Sequence, residues 1–273
     1  MTGPTRWGRR RGLLDLMDRL HLARPAVRAY ELALAARAQV GSRNGRAAGA
    51  FPLPPARLRA QVGPLHADAG FFLRSGEEHA TLIRELVREA GSSVEEVGAI
   101  LDWGCGCGRV LRHWPDLPPD QVSGCDINPK MIDWCARNLP FTVFVSDLVP
   151  PLRSADGTFG LIYAFSVFTH LSEELQHAWI QECARVLKPG GFLLLSTLGS
   201  HYASLDRLSE DELRRFERGE LVVLYEHSAG TSLCSAYHPT DYVQRELARG
   251  FDVVALREAG DHGKHDIHLL RKQ

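Results

Sequence analysis

At 273 residues the chain is long enough for one domain with an appendage, and its 44% hydrophobic and 24% charged residues are those of an ordinary globular protein. A formal net charge of −1 excludes a global field that would draw it to nucleic acid, and six scattered cysteines in a chain of this size point to reduced thiols, not a disulfide scaffold. No apolar run approaches the ~18 residues of a membrane span, and the N-terminus lacks a signal-peptide core, so a cytoplasmic protein without a membrane partner is the expectation.

Charge is uneven along the chain. Residues 1–46 hold ten Arg against Asp15, Asp18 and Glu31. A solvated helical extension explains this excess; an arm that touches RNA or another anionic surface is the alternative. Leu13, Leu16, Met17 and Leu20 recur at helical spacing, and Val27, Tyr30 and Leu34 continue it after Pro25, which gives two short helices. "GSRNGRAAGA" (41–50) is a flexible linker, so residues 1–50 form an arm and 51–273 the main domain. "FPLPP" is extended. Ser75 with Glu78 reads as a capping box, predicting a helix from about 76 to 90 that stops at Gly91.

From Gly98 the rhythm becomes strand, loop, helix. "AILDW", "QVSGCD", "FTVFVSD", "FGLIYAFS" and "FLLLST" are strands. Asn128 and Pro129 cap and open one intervening helix, and Ser172 caps another that ends at "KPGG". Parallel strands need crossover connections, so this alternation implies a parallel sheet wrapped by helices. "PTDYVQRELARG" is a further helix, and "FDVVALRE" and "HDIHLLRK" close the sheet as an antiparallel hairpin. The predicted fold is an α/β, Rossmann-like, seven-stranded and mostly parallel sheet with an antiparallel last strand and helices on both faces.

"ILDWGCGCGRV" (100–110) sets the chemical question. Structural zinc wants a two- to four-residue gap between cysteines and a second matching pair, and Cys105 and Cys107 offer neither. A dinucleotide loop wants G-x-G-x-x-G, and the third small position is held by Arg109. Gly104, Gly106 and Gly108 instead suit a ligand that lies with its backbone close to the loop, where a Cβ would intrude. An ordered set of motifs carries the identification. "LDWGCGCG", Asp126 22 residues after Gly104, "SDL" (146–148), "FGLIYAFSVFTHL" and "RVLKPGGFLLLS" follow one another over about residues 70–200. In this the chain resembles the class I S-adenosylmethionine-dependent methyltransferases.

The resemblance implies S-adenosylmethionine as cofactor. It implies that Asp126, beside Ile127, accepts the ribose hydroxyls and that Asp147, beside Leu148, meets the adenine amino group. Gly104, Cys105, Gly106 and Gly108 would form the cradle, with the two cysteines as small fillers. Asp102 would orient the loop or reach the ligand's ammonium through water. Arg74 and Arg109 compete for the methionine carboxylate, and Phe165 and Ser166 are pocket walls. Both Asp126 and Asp147 also read as simple turn caps, and Tyr163 as core or wall.

His170, at the carboxyl edge of the sheet, is the candidate general base for a hydroxyl nucleophile; the duller alternative is a histidine that only bounds the pocket. Residues 199–238 exceed the short turn the fold needs. They read as a helix and hairpin forming a lid, with Tyr202, Tyr225, Tyr237 and His238 toward the substrate. His262, His265 and His268 invite a metal test, but His265 and His268 face opposite sides of a strand, so no metal is expected. The expected enzyme methylates a small metabolite or natural product, at oxygen. RNA or protein methylation and nicotinamide-dependent oxidoreduction are the alternatives. A homodimer is compatible with these features, and a nucleic-acid partner is not expected.

Overall fold

The computed structural model describes residues 6–23, 25–26, 29–30, 33, 50–204, 208–261 and 264–273. The predicted linker at 41–49, Val27, Leu34 and His262 lie outside them. Helix α1 spans Arg6–Arg19, and described positions between 23 and 33 are helical too. Next come α2 (Ala56–Val62) and α3 (Ala69–Glu89). The strands β1 (Ile100–Trp103), β2 (Val122–Asp126), β3 (Thr142–Val145), β4 (Phe159–Ala164) and β5 (Leu187–Thr197) follow, with α4 (Pro129–Asn138) after β2 and α5 (Glu173–Val186) after β4. The segment 199–238, expected to form a lid, contains α6 (Ser200–Ala203), α7 (Glu210–Glu217) and the short pair β6 (Val222–Leu224) and β7 (Ser235–Tyr237). Helix α8 (Thr240–Tyr242), β8 (Phe251–Asp261) and β9 (His265–Lys272) complete the chain.

The seven-stranded sheet runs β3-β2-β1-β4-β5-β9-β8. Its first five strands are parallel, and β9 enters antiparallel between β5 and β8. Strand periodicity assigns the two faces. Leu161 and Tyr163 of β4 meet Phe192 and Leu194 of β5 under α3 and α4. Ile162, Ala164, Leu193 and Leu195 face α5 and the segment after α8. Asn128 caps α4 ahead of Pro129, and Ser172 caps α5, both as the sequence predicts.

Two expectations are corrected, the start of α3 and the form of the helix at 239–250. Helix α3 begins seven residues before the predicted Gly76: Asp68 is its N-cap, accepting from the Phe71 amide at 2.7 Å. Ser75 lies inside the helix and donates to the Phe72 carbonyl at 3.3 Å. A serine followed by a glutamate three residues later is equally compatible with a helix interior, and the fully buried Phe72 extends the apolar face toward the N-terminus. After the glycine loop only one 3-10 turn forms, Leu111–His113, because buried Trp114 and then Pro115 end it. The predicted helix at 239–250 is α8 continued by a π-helical turn over Val243–Leu247.

Gly160 shows how closely the sheet is packed: a Cβ there would lie 1.7 Å from the Val97 carbonyl oxygen. We expect Gly160→Ala to lower stability by about 1–3 kcal/mol, read as a lower urea midpoint with unchanged slope.

Candidate functional site

The chain leaves β1 through a turn in which Gly104, Gly106 and Gly108 adopt φ of +80°, +54° and +78°. Only glycine takes three alternating left-handed positions without strain. The Gly104 and Cys105 amides both donate to the Cys125 carbonyl, at 2.8 and 2.9 Å, stitching the loop to β2. Asp126 ends β2, and its carboxylate is oriented by two amides: Gly106 donates to Oδ2 at 2.9 Å and Asn128 to Oδ1 at 2.7 Å. One lone pair on each oxygen remains for a diol. Burial raises the Asp126 pKa, and the two amide bonds oppose that rise. Beside it Ile127, Val145 and Val149 are exposed apolar side chains, and Asp147 is exposed after β3. Acid and apolar shelf lie together at the carboxyl ends of β2 and β3, at the edge of the glycine turn.

Helix α2 closes over this loop, a role that sequence reading missed. A Cβ on Gly106 would meet Val62 Cγ2 at 3.1 Å, and Gln61 Oε1 accepts from the Asn128 amide group at 3.1 Å. Pro55 ahead of "ARLRAQV" signals the helix, but nothing in the sequence says where it docks.

Asp102 is buried beneath the loop with Oδ2 unpaired among the described residues. Desolvation pushes its pKa up to about 7, against a hydrogen bond from Tyr163 and the positive Arg109. The Tyr163 hydroxyl is in turn an acceptor for Trp114 Nε1 at 2.9 Å. The two arginines are separated. Arg109 is buried, donating to the Ser75 carbonyl at 3.0 Å and to His79 Nδ1 at 2.9 Å. A guanidinium only donates, so the His79 proton sits on Nε2, which binds Asp261 at 2.7 Å. His79 stacks on Phe165 with ring centroids 3.9 Å apart. Arg74 is exposed, on the outer wall of α3 with Glu77 and Glu78. Cys105 and Cys107 are buried and free, and burial pushes the Cys107 thiol up. They fit as inert fillers.

Ser166 takes φ +56° just after β4, its amide held by Ser196 Oγ at 2.7 Å. His170 closes the following 3-10 turn. Its Nδ1 donates to the Cys234 carbonyl of the lid at 2.7 Å, so Nε2 is the basic nitrogen of the neutral ring. In the lid, Tyr202 is half-buried against the His265 ring, and Tyr225 is half-buried at φ +55°. Tyr237 and His238 are enclosed: Tyr237 joins the lid's own apolar cluster, and His238 pairs with Gln176 at 2.9 Å while burial lowers its pKa to about 3. Leu148 is half-buried beneath the lid's Gly230. His265 binds Asp261 on one face of β9 and His268 binds Thr197 on the other. Among the described residues no group of histidine, cysteine and acidic side chains is placed to hold a metal ion, and no described helix is long and apolar enough to cross a membrane.

Strand order, antiparallel β9, glycine turn and the acid at the end of β2 define a class I methyltransferase fold. Residues 100–191 match the family model described as a methyltransferase domain, and this part of the chain is such a domain, of the S-adenosylmethionine-dependent class. The chain is 27% identical over 241 residues to a malonyl-[acyl-carrier protein] O-methyltransferase of Yersinia pestis, covering 81% of this chain and 86% of that one. It is 30% identical over 156 residues to a probable tRNA methyltransferase 9B of Mus musculus, covering 56% of this chain and 32% of that one. It spans between 32% and 39% of the length of several curated relatives it matches. Among solved structures, the glycopeptide N-methyltransferase MtfA superposes with a TM-score of 0.51 at 18% identity, over 72% of this chain and 90% of that one, which is a likeness of fold.

The Asp102 environment has a measurable consequence. A carboxyl whose pKa is about 7 when folded, against about 3.9 unfolded, takes up a proton on folding, so its contribution is most favourable in acid and is lost as pH rises from about 4 to 7. Asp102→Asn removes that dependence. We expect the variant to gain on the order of 2 kcal/mol relative to wild type between pH 5 and pH 8 in urea unfolding; an equal difference at both values would show Asp102 to be ionised throughout.

Proposed function

We propose that the chain is an S-adenosylmethionine-dependent methyltransferase that methylates an oxygen of a small molecule. One observation carries the reading: Asp126, fixed by the Gly106 and Asn128 amides, presents two oxygens with spare lone pairs next to the exposed Ile127 and Asp147. A cis-diol matches the pair of oxygens, and a purine matches an apolar shelf bearing an acid. The unpaired Oδ2 of Asp102 suits a ligand that brings a cation, because an ammonium restores the ionised carboxylate that burial disfavours.

When bound, the cofactor supplies an electrophilic methyl group on a sulfonium. The chain's part is to hold the reactants in line and keep water out. Asp126 and Asp147 fix the nucleoside, and the glycine turn offers its backbone to the ligand's tail; the space a Cβ would need at 104, 106 and 108 is filled by Val167, Val62 and Leu139, so the glycines are required by packing within the chain. His170 accepts the proton of the attacking hydroxyl at Nε2, its ring aligned by the Cys234 carbonyl. Tyr202 and Tyr225 supply the aromatic rim on the lid side. Oxygen as acceptor and a small substrate are supported by the Yersinia pestis relative, whose likeness extends over most of this chain and whose name states O-methylation of a carrier-bound malonyl group. The likeness to a probable tRNA methyltransferase covers little more than half of the chain. With the Arg-rich arm, it keeps RNA as the second reading.

Ligand-linked thermal stabilisation tests the class. S-adenosylmethionine and S-adenosylhomocysteine should raise Tm and NAD should not; a rise with NAD alone overturns the proposal. Asp126→Ala should weaken calorimetric affinity for S-adenosylhomocysteine by on the order of 1.5–3 kcal/mol, the value of hydrogen bonds to a charged acceptor. His170→Ala should cut turnover by about 10²-fold or more, followed as S-adenosylhomocysteine release over a panel of hydroxylated small molecules, with cofactor affinity within about twofold of wild type; undiminished turnover would remove it as the base.

A further inference from the structure

Asp18 is an oddly placed residue on the N-terminal arm. Leu13 and Leu16 on α1 and Leu20 just after it are each more than half exposed, while Asp18 is only 4% exposed. An ordinary surface helix does the reverse. Burying a carboxylate is costly unless it is fully hydrogen-bonded, and both oxygens of Asp18 are engaged by one lid segment. Oδ2 accepts from the His227 amide at 3.1 Å, and Oδ1 accepts from the Ser228 hydroxyl. These are the second and third residues of a 3-10 turn, Glu226–Ser228, that follows Tyr225 in the left-handed region and has no side-chain cap of its own. Asp18 supplies that cap from about 209 residues away. The His21 and His227 rings meet edge-on at 5.0 Å, and Arg11 pairs with Glu212 of α7, so the arm is seated on the lid at three points.

The same lid segment continues directly into the proposed active site. The Gly230 amide donates to the His170 carbonyl at 2.8 Å, and the Cys234 carbonyl receives His170 Nδ1 at 2.7 Å. Between them the loop presses on the cofactor side: a Cβ on Gly230 would lie 2.6 Å from Leu148 Cδ1. Residues 226–234 therefore grip His170 by its backbone and its ring, and touch Leu148, while their other end is held by Asp18.

We infer that Asp18 is a positioning residue: through His227 and Ser228 it holds the 226–234 loop in the conformation that fixes the His170 ring. The inference rests on the reading of His170 as the base, and it makes the N-terminal arm part of the active-site assembly. Arm docking sets the lid, and the lid sets the tautomer and aim of the imidazole.

The test uses the full chain labelled with 15N and needs no substrate. In wild type the His170 ring nitrogens should report one tautomer with the proton on Nδ1, and the His227 and Gly230 amides should be protected from exchange. Asp18→Ala and Ser228→Ala should each speed exchange at both amides by about tenfold or more and shift the His170 ring signals toward an averaged tautomer, with α5 amides unchanged. Asp18→Asn, which keeps an acceptor for the His227 amide, should recover part of the protection. Ser228→Ala leaves the arm and its carboxylate intact, so it reports even where Asp18→Ala perturbs folding. Unaltered ring signals and Gly230 protection in Ser228→Ala and in a folded Asp18→Ala would overturn the assignment. Parallel titration of wild type with S-adenosylhomocysteine separates the two claims: absent binding defeats the proposed function, whereas binding without coupling defeats only the role of Asp18.

Discussion

The site depends on a backbone constraint at the end of β1, where three alternating left-handed glycines fold the chain back beneath α2 and α3. That geometry brings the Gly106 amide to the Asp126 carboxylate and both the Gly104 and Cys105 amides to one carbonyl of β2. The packing is close on every side: a Cβ at Gly104 would strike Val167, and one at Gly108 would strike Leu139. The turn is therefore more than a space left for a ligand. It sets the distance from β1 to the segment after β4 and to α4, and the acid at 126 is aimed by the same hydrogen bonds that hold the turn in shape.

Buried arginines extend this frame outward. Arg59 donates to the carbonyls of Pro54, His66 and Ala67, Arg112 to those of Phe51 and Pro52, and Arg109 to Ser75 and His79. Arg59 and Arg112 satisfy carbonyls that irregular backbone would otherwise leave without partners, whereas Arg109 ties the glycine loop to a carbonyl and a ring nitrogen of α3. Burial lowers the pKa of all three, although each remains a cation. Together they attach the segment before β1 to the glycine loop, with Gly76 of α3 lying directly on the Arg109 backbone. A sequence rich in arginine thus uses three of them, all outside the Arg-rich residues 1–46, as internal struts.

Much of the sheet was legible because strand and helix periodicities, the Asn128-Pro129 and Ser172 caps and the glycine pattern are local signals. The antiparallel β8–β9 hairpin that closes the sheet was legible too, but not the placement of β9 between β5 and β8. What escaped was non-local or ambiguous within a few residues. Ser75 and Glu78 satisfy a capping rule that Asp68 satisfies better, since only Asp68 has extended backbone and a receiving amide. Arg109 follows the glycine motif directly and so reads as a ligand contact, but its side chain turns back to His79, which lies 30 residues earlier. Tyr237 and His238 read as rim residues by type, yet Tyr237 joins a small apolar cluster with Phe216 and Val222, and His238 is buried against Gln176 of α5. Asp18 carried no local signal at all, because its partners follow some 210 residues later.

The two acids nearest the glycine turn show how one edge of the sheet can hold different charge states. Asp126 and Asp102 are both raised by burial, and the Asp126 carboxylate raises Asp102 further. They differ in donors. Asp126 has two backbone amides that stabilise an anion without supplying a proton, which keeps it an acceptor. Asp102 leans on a tyrosine hydroxyl and leaves one oxygen unpaired, so it sits near neutrality, where a small input of positive charge decides its state. A ligand with hydroxyls at one end and an ammonium at the other meets both conditions at once. A ligand carrying phosphates would place anions beside the half-buried Asp126 and the buried Asp102, with the buried cation Arg109 already committed to Ser75 and His79 of α3.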